Sequence, residues 1–247
     1  MKRYFFECSY NGSNYHGWQS QLNAVSVQEV IQNSIMKFFD EKKISIVGCG
    51  RTDTGVHANQ YFFHMDTSIE IVHEDFIYKL NNILPKDISV YSIWSVNPDF
   101  HARFSAEKRT YRYFISINKN PFTEKFSHLI KEKLDINLMN KCALELLKHK
   151  DFTSFSKLNT DVKNNLCHIF EAFWLQSNGQ LIFQISANRF LRNMVRAIVG
   201  TMIDVGKGKL SLDDFIKIIK DKDRSNAGFS APAKGLFLHE VKYPNWP

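Results

Sequence analysis

The chain has 247 residues, 44% of them hydrophobic and 14% aromatic, with 32 Lys and Arg against 25 Asp and Glu for a formal net charge of +7. That composition excludes a disordered chain, and the length suits one large domain or two small ones with a substantial core. No apolar stretch approaches bilayer-spanning length, and Glu7 interrupts the apolar residues after Met1-Lys2-Arg3, so neither a membrane span nor a signal peptide is expected. The four cysteines, Cys8, Cys49, Cys142 and Cys167, lack CxxC spacing, so the expectation is reduced thiols in a cytoplasmic protein without a zinc or redox pair. The basic balance favours an anionic partner such as nucleic acid, and the interleaved run Lys108-Arg109-Thr110-Tyr111-Arg112-Tyr113-Phe114 points the same way.

Taken in chain order, residues 4–10 read as a strand. Ser26-Val27-Gln28-Glu29 has the pattern of a capping box, and Val27, Val30, Ile31, Ile35, Phe38 and Phe39 then recur at helical spacing. Strands follow near residues 44–48 and 57–65, a helix over 74–84 stopped by Pro85, and an alternating strand over 88–96. This β-α-β-β-α-β order is the ferredoxin-like pattern. The second half repeats the order more loosely. It has a strand over 109–117, a helix over 138–148, and strands over 167–176 and 181–187 joined at Ser177-Asn178-Gly179. A helix over 189–205, a short helix over 212–219 and a closing strand over 236–243 complete it. The expected fold is α+β, with two ferredoxin-like (RRM-like) halves and mostly antiparallel sheets side by side. The expected domains are residues 1–100 and 101–247, divided near Pro98.

The most informative stretch is Gly50-Arg51-Thr52-Asp53-Thr54-Gly55-Val56-His57-Ala58. It places one carboxylate between two glycines on a turn between strands. A capped hairpin turn explains the local pattern; a ligand-facing acid held by rigid neighbours is the functional alternative. The second opposed carboxylate of a glycosidase and the phosphate-binding loop of a phosphoryl transferase are both missing from the pattern. A lone carboxylate still serves as nucleophile or base. Arg189, Arg192 and Arg196, spaced i, i+3 and i+7, would share one face of the helix expected over 189–205, either as a solvated basic face or as partners for a carboxylate and phosphates. Tyr111 and Tyr113, with Arg109, would share one face of a strand, as packing aromatics or as a base-stacking platform. His57 and His64, seven apart on one strand, face opposite sides and cannot share a metal. His16 lies in a glycine-containing loop, where an RNA contact and a packing role are both open.

These segments together resemble the TruA family of tRNA pseudouridine synthases. The matching pieces are Tyr15-His16-Gly17-Trp18-Gln19, residues 50–58, Phe100-His101-Ala102-Arg103-Phe104 and Arg109-Thr110-Tyr111-Arg112-Tyr113. Further along are Asp151-Phe152-Thr153-Ser154-Phe155, Phe190-Leu191 with Met194-Val195-Arg196, and Ala231-Pro232-Ala233 with Gly235-Leu236. The resemblance implies the pseudouridine synthase fold, isomerisation of uridine at positions 38, 39 and 40 of the tRNA anticodon arm, a homodimer engaging one tRNA, and no cofactor or metal. It implies Asp53 as the catalytic aspartate, Tyr111 as the tyrosine against the target base, Arg196 as the partner of the aspartate, and Arg51 as the residue that displaces or holds the flipped nucleotide. Arg109, Arg189, Arg192 and His16 are further candidates for RNA contact. The chain departs from the family at Asn11, where an Asp is common, at residues 163–168, which lack a terminal arginine, and at the additional Arg192.

Overall fold

The structure, a computed structural model, describes residues 1–39, 44–157 and 163–244. In chain order its elements are β1 (Lys2–Tyr10), α1 (Val27–Met36), β2 (Ile46–Gly48), β3 (His57–Thr67), α2 (His73–Ile83), β4 (Ile88–Val96) and β5 (Lys108–Ser116). They continue with β6 (His128–Leu129), α3 (Ile136–Leu146), β7 (Ile169–Ser177), β8 (Gln180–Ala187), α4 (Met194–Gly206), α5 (Leu212–Asp221) and β9 (Leu236–Lys242). The fold is mixed α+β, with five α-helices among the described residues and mostly antiparallel strand pairing. Two compact units form, Met1–Glu107 with Leu238–Pro247, and Lys108–Phe237. The closing strand therefore returns, from Leu238 onward, to the unit that begins the chain.

In the first unit β1 lies between β4 and β3, and β2 pairs with β3, each contact antiparallel. Tyr4, Phe5, Phe6 and Cys8 are all buried, because this central strand is covered on both faces. Phe6 stacks on Phe63 with centroids 4.6 Å apart and meets Phe76 of α2. The opposite face carries Phe5 and Phe62, closed by Tyr243 at 5.2 and 5.3 Å and by Phe100 at 5.1 Å from Phe5. Ser26 caps α1 by accepting the Glu29 N–H, half of the expected capping box. The complete reciprocal box occurs instead at Ser211 and Asp214, at the start of α5.

In the second unit β8 lies between β5 and β7, antiparallel to both, while short β6 runs parallel to β5. Asn178 and Gly179 have φ of 50° and 74°, the two positive values that a two-residue hairpin turn between Ser177 and Gln180 requires. Trp174 of β7 packs on Phe183 and donates its indole N–H to the Met202 sulfur of α4. Eleven of the 13 residues of α4 are buried, the exceptions being Arg196 and Asp204.

The helix expected over residues 189–205 begins only at Met194. Asn193 has φ of 67°, a left-handed conformation that a right-handed helix does not accommodate. Its amide donates to Ser230 Oγ at 2.7 Å, and the Arg192 carbonyl accepts from the Lys157 N–H at 3.0 Å. Arg189 and Arg192 consequently precede the helix, and the shared face with Arg196 does not form.

Candidate active site

Asp53 stands on a loop built almost entirely by its neighbours' backbones. The segment Tyr15–Trp18 lies directly against it. The Gly55 N–H donates to the Tyr15 carbonyl at 3.2 Å, the Trp18 N–H to the Thr52 carbonyl at 3.4 Å, and the Val56 N–H to the Asp53 carbonyl at 3.1 Å. Gly17 makes this approach possible. Its φ is +87°, and a Cβ there would stand 2.3 Å from the Thr52 carbonyl oxygen. Gly12 serves the same purpose at the far end of the loop, where a Cβ would stand 2.0 Å from the Val56 oxygen. The Gly12 N–H donates to His57 Nδ1 at 3.1 Å, which gives that buried histidine a structural role.

Below the loop the Thr52 hydroxyl shares a 2.9 Å hydrogen bond with Tyr10 Oη. Trp18 stacks on Tyr61 at 4.0 Å, and Tyr61 Oη donates to the Gly50 carbonyl. Thr52 is buried, Asp53 half-buried, and Arg51 and Thr54 exposed. The loop is thus anchored at Gly50, Thr52, Asp53, Gly55 and Val56 through main-chain contacts and the Thr52 hydroxyl. His16 is exposed beside it, and its carbonyl accepts from Gln21.

Asn11, the departure from the usual Asp, caps the turn Gly12–Asn14 by accepting the Ser13 N–H at 3.1 Å. A carboxylate would make the same bond, so this substitution leaves the turn intact.

The second unit holds the other candidates. Tyr111 and Tyr113 lie two apart on β5, but their environments differ. Tyr113 is fully buried, donates its hydroxyl to the Pro232 carbonyl at 2.9 Å, and packs so closely that a Cβ at Gly235 would stand 2.8 Å from its ring. It is a core residue, and burial raises its phenol pKa while the nearby Arg196 charge opposes that rise. Tyr111 is half-buried and meets Phe190 edge-on at 5.1 Å. Arg109 donates to the Asn188 carbonyl at 2.8 Å. Arg192 is exposed and Arg189 half-buried.

Arg196 is fixed from two directions. Its Nε donates to the Ala231 carbonyl at 2.7 Å, and its own carbonyl accepts the Ala231 N–H at 3.0 Å. Gly200, one turn further along α4, lets the segment around Ala231 lie this close: a Cβ there would stand 1.8 Å from the Phe229 carbonyl oxygen. Gly228 continues the contact by donating its N–H to Thr201 Oγ1 at 2.9 Å. The sequence pattern pointed to Arg196 but not to its clamp. The only signal for the clamp was the small-residue run Ala231-Pro232-Ala233. Among the described residues no group of three or more His, Cys, Asp or Glu could hold a metal ion, and no helix is long and apolar enough to cross a membrane.

This mixed α+β chain is similar to RNA-modifying synthases. The family model described as tRNA pseudouridine synthase matches residues 143–244. The tRNA pseudouridine synthase A of Bacteroides fragilis is 50% identical over 246 residues, covering 99% of this chain and 97% of that protein. The Porphyromonas gingivalis protein of the same name is 48% identical, covering 99% and 98%. That of Clostridium acetobutylicum is 38% identical, covering 98% and 100%. The chain belongs to the tRNA pseudouridine synthase A (TruA) family.

Proposed function

We infer that this chain is an isomerase that converts uridine to pseudouridine at positions 38, 39 and 40 in the anticodon stem-loop of tRNA. The observation that carries the reading is Asp53 on its backbone-locked loop, in a chain 50% identical to a tRNA pseudouridine synthase A over nearly its full length. The reaction breaks the N1–C1′ bond, rotates the detached uracil, forms C5–C1′, and moves the C5 proton away while N1 gains one. It is redox-neutral and consumes no water overall.

Asp53 acts as the nucleophile, and its immobile loop keeps the carboxylate at one distance from the nucleoside through both bond changes. Arg196 is the cation that keeps Asp53 ionised once RNA excludes water. Tyr111 offers its ring to the uracil, so the detached base stays trapped while it turns. Arg51, exposed two residues before Asp53, holds the displaced nucleotide and offsets part of the few kcal/mol that unstacking costs. Arg109, Arg189, Arg192 and His16 belong to the surrounding phosphate-contacting surface. A homodimer sharing one tRNA and a cytoplasmic location are parts of the same reading. So are two ferredoxin-like halves, supported by β4-β1-β3 with β2 on β3 and by β5-β8-β7.

The test is to map pseudouridine in tRNA from cells with and without the protein, and in vitro with Asp53→Asn. The variant should fold and bind tRNA while pseudouridine formation falls by roughly 10³-fold or more. Clear residual turnover would remove Asp53 from the nucleophile's role.

A further inference from the structure

The segment Phe100-His101-Ala102-Arg103-Phe104 takes no part in the chemistry just described, yet the first unit holds it with unusual care. Phe100 packs into the core against Phe5 and Tyr243. The Ala102 N–H donates to His64 Nδ1 at 3.1 Å, and its carbonyl accepts from Tyr243 Oη at 2.6 Å. His101 Nδ1 accepts the N–H groups of Arg103 and Phe104 at 3.0 and 3.3 Å, and the His101 N–H donates to Ser105 Oγ at 2.9 Å. Burial, followed by the charges of Arg3 and His101 and opposed by Asp66, holds the His64 pKa down at about 4, so its Nδ1 remains an acceptor at neutral pH.

All this order ends in an exposed ring. Phe104 is 75% exposed, so most of the favourable burial of a Phe side chain is forgone. The ring lies 4.4 Å from the His101 ring and carries the Arg103 guanidinium 5.5 Å from its centroid. One rigid, exposed aromatic beside an exposed arginine matches a nucleobase with its phosphate; a protein-docking patch would group several apolar side chains. Seven residues of β3 separate His57, beside the Asp53 loop, from His64, beneath this segment, which is about 23 Å of extended chain. A contact here lies outside the target nucleotide's pocket.

We propose that Phe104 and Arg103 form a second RNA contact, in which an unpaired base stacks on Phe104 and Arg103 meets a flanking phosphate. The proposal rests on the tRNA reading above. Its test compares dissociation constants for an unmodified tRNA transcript and single-turnover rates at saturating tRNA. The proteins are wild type, Phe104→Ala, Phe104→Trp, Arg103→Ala and Tyr78→Ala; Tyr78 is an exposed aromatic of α2, 71% accessible.

Phe104→Ala and Arg103→Ala should weaken binding about tenfold with the saturating rate within about twofold, and Phe104→Trp should bind as wild type. Arg103→Ala should also reduce the salt slope of log affinity by about one. Tyr78→Ala should change nothing. Wild-type affinity in Phe104→Ala, or an equal loss in Tyr78→Ala, overturns the proposal. So does a loss in Phe104→Ala that follows dissociation of the protein into single chains in sedimentation, since the ring would then contact a second copy. If the wild type makes no pseudouridine in tRNA while Phe104→Ala still weakens tRNA binding, the contact stands and the catalytic reading fails.

Discussion

Asp53 and Arg196 are both held firmly, but by opposite means. Asp53 sits on irregular backbone, and other backbone fixes it: Tyr15, Trp18 and Gly12 supply the contacts, and glycines supply the room. Arg196 sits on a regular helix buried along most of its length, and its own guanidinium reaches out to the Ala231 carbonyl. A carboxylate has a short side chain, so its position is that of its main chain. An arginine has a long one, so a rigid helix alone does not fix the charge and a clamp near the head group is needed. The comparison predicts that the Asp53 loop fails through backbone changes, whereas Arg196 fails through loss of its clamp.

The largest effect should come from Gly17→Ala. The substitution forces a φ of +87° on a residue with a Cβ and drives that Cβ into the Thr52 carbonyl. Strain and overpacking together should cost about 4 kcal/mol, lowering the melting temperature by roughly 10 °C and activity with it. Thermal unfolding at wild-type temperature would mean that the two loops do not lean on each other. Arg196→Ala comes next, with pseudouridine formation down about a hundredfold and a melting temperature lower by about 3 °C for the lost bond to Ala231. Arg196→Lys should not rescue it, because an ammonium lacks the separate nitrogens that would let one bond Ala231 while others meet the proposed anionic partner. Full rescue by lysine would reduce the clamp to simple charge.

Gly200→Ala probes the clamp without touching the arginine. Alanine in a helix gains about 1 kcal/mol of propensity, but its Cβ meets the Phe229 carbonyl head-on. The expected net loss is about 2 kcal/mol, together with part of the activity loss of Arg196→Ala, since Ala231 must move. A stabilised variant with full activity would show that the segment at Ala231 is not what holds the guanidinium.

Much of this was legible in the sequence because local pattern and tertiary structure agree there. The apolar periodicity of residues 27–35, Pro85 after α2, and Asn178-Gly179 between β7 and β8 all describe local geometry that the fold preserves, although α1 ends at Met36, before Phe38 and Phe39. The overrun at residues 189–193 shows where such agreement ends. Leu191, Met194 and Val195 are all buried and continue a helical spacing, yet the left-handed Asn193 is set by its bond to Ser230 and the Arg192 carbonyl by Lys157. Those partners are 37 and 35 residues away, and no local window contains them. The same holds for Gly17 against Thr52 and for Arg196 against Ala231. The candidate side chains were nameable from motif and charge; the backbone contacts that hold them were not.

Gly50 gives the smallest effect and the sharpest test of the comparison. It opens the same motif as Asp53, but its environment is unlike that of Gly17 or Gly12. A Cβ at Gly50 would meet no atom within 4 Å, and its φ lies outside the left-handed region. If contacts within the protein are what make this loop intolerant, Gly50→Ala should fold with stability within about 0.5 kcal/mol of wild type, even slightly raised by the stiffer unfolded chain. A loss as large as that of Gly17→Ala would show that the loop's rigidity arises elsewhere. Wild-type stability with reduced tRNA turnover would instead place the requirement for glycine on the RNA, as room for a nucleotide to approach the main chain beside Arg51.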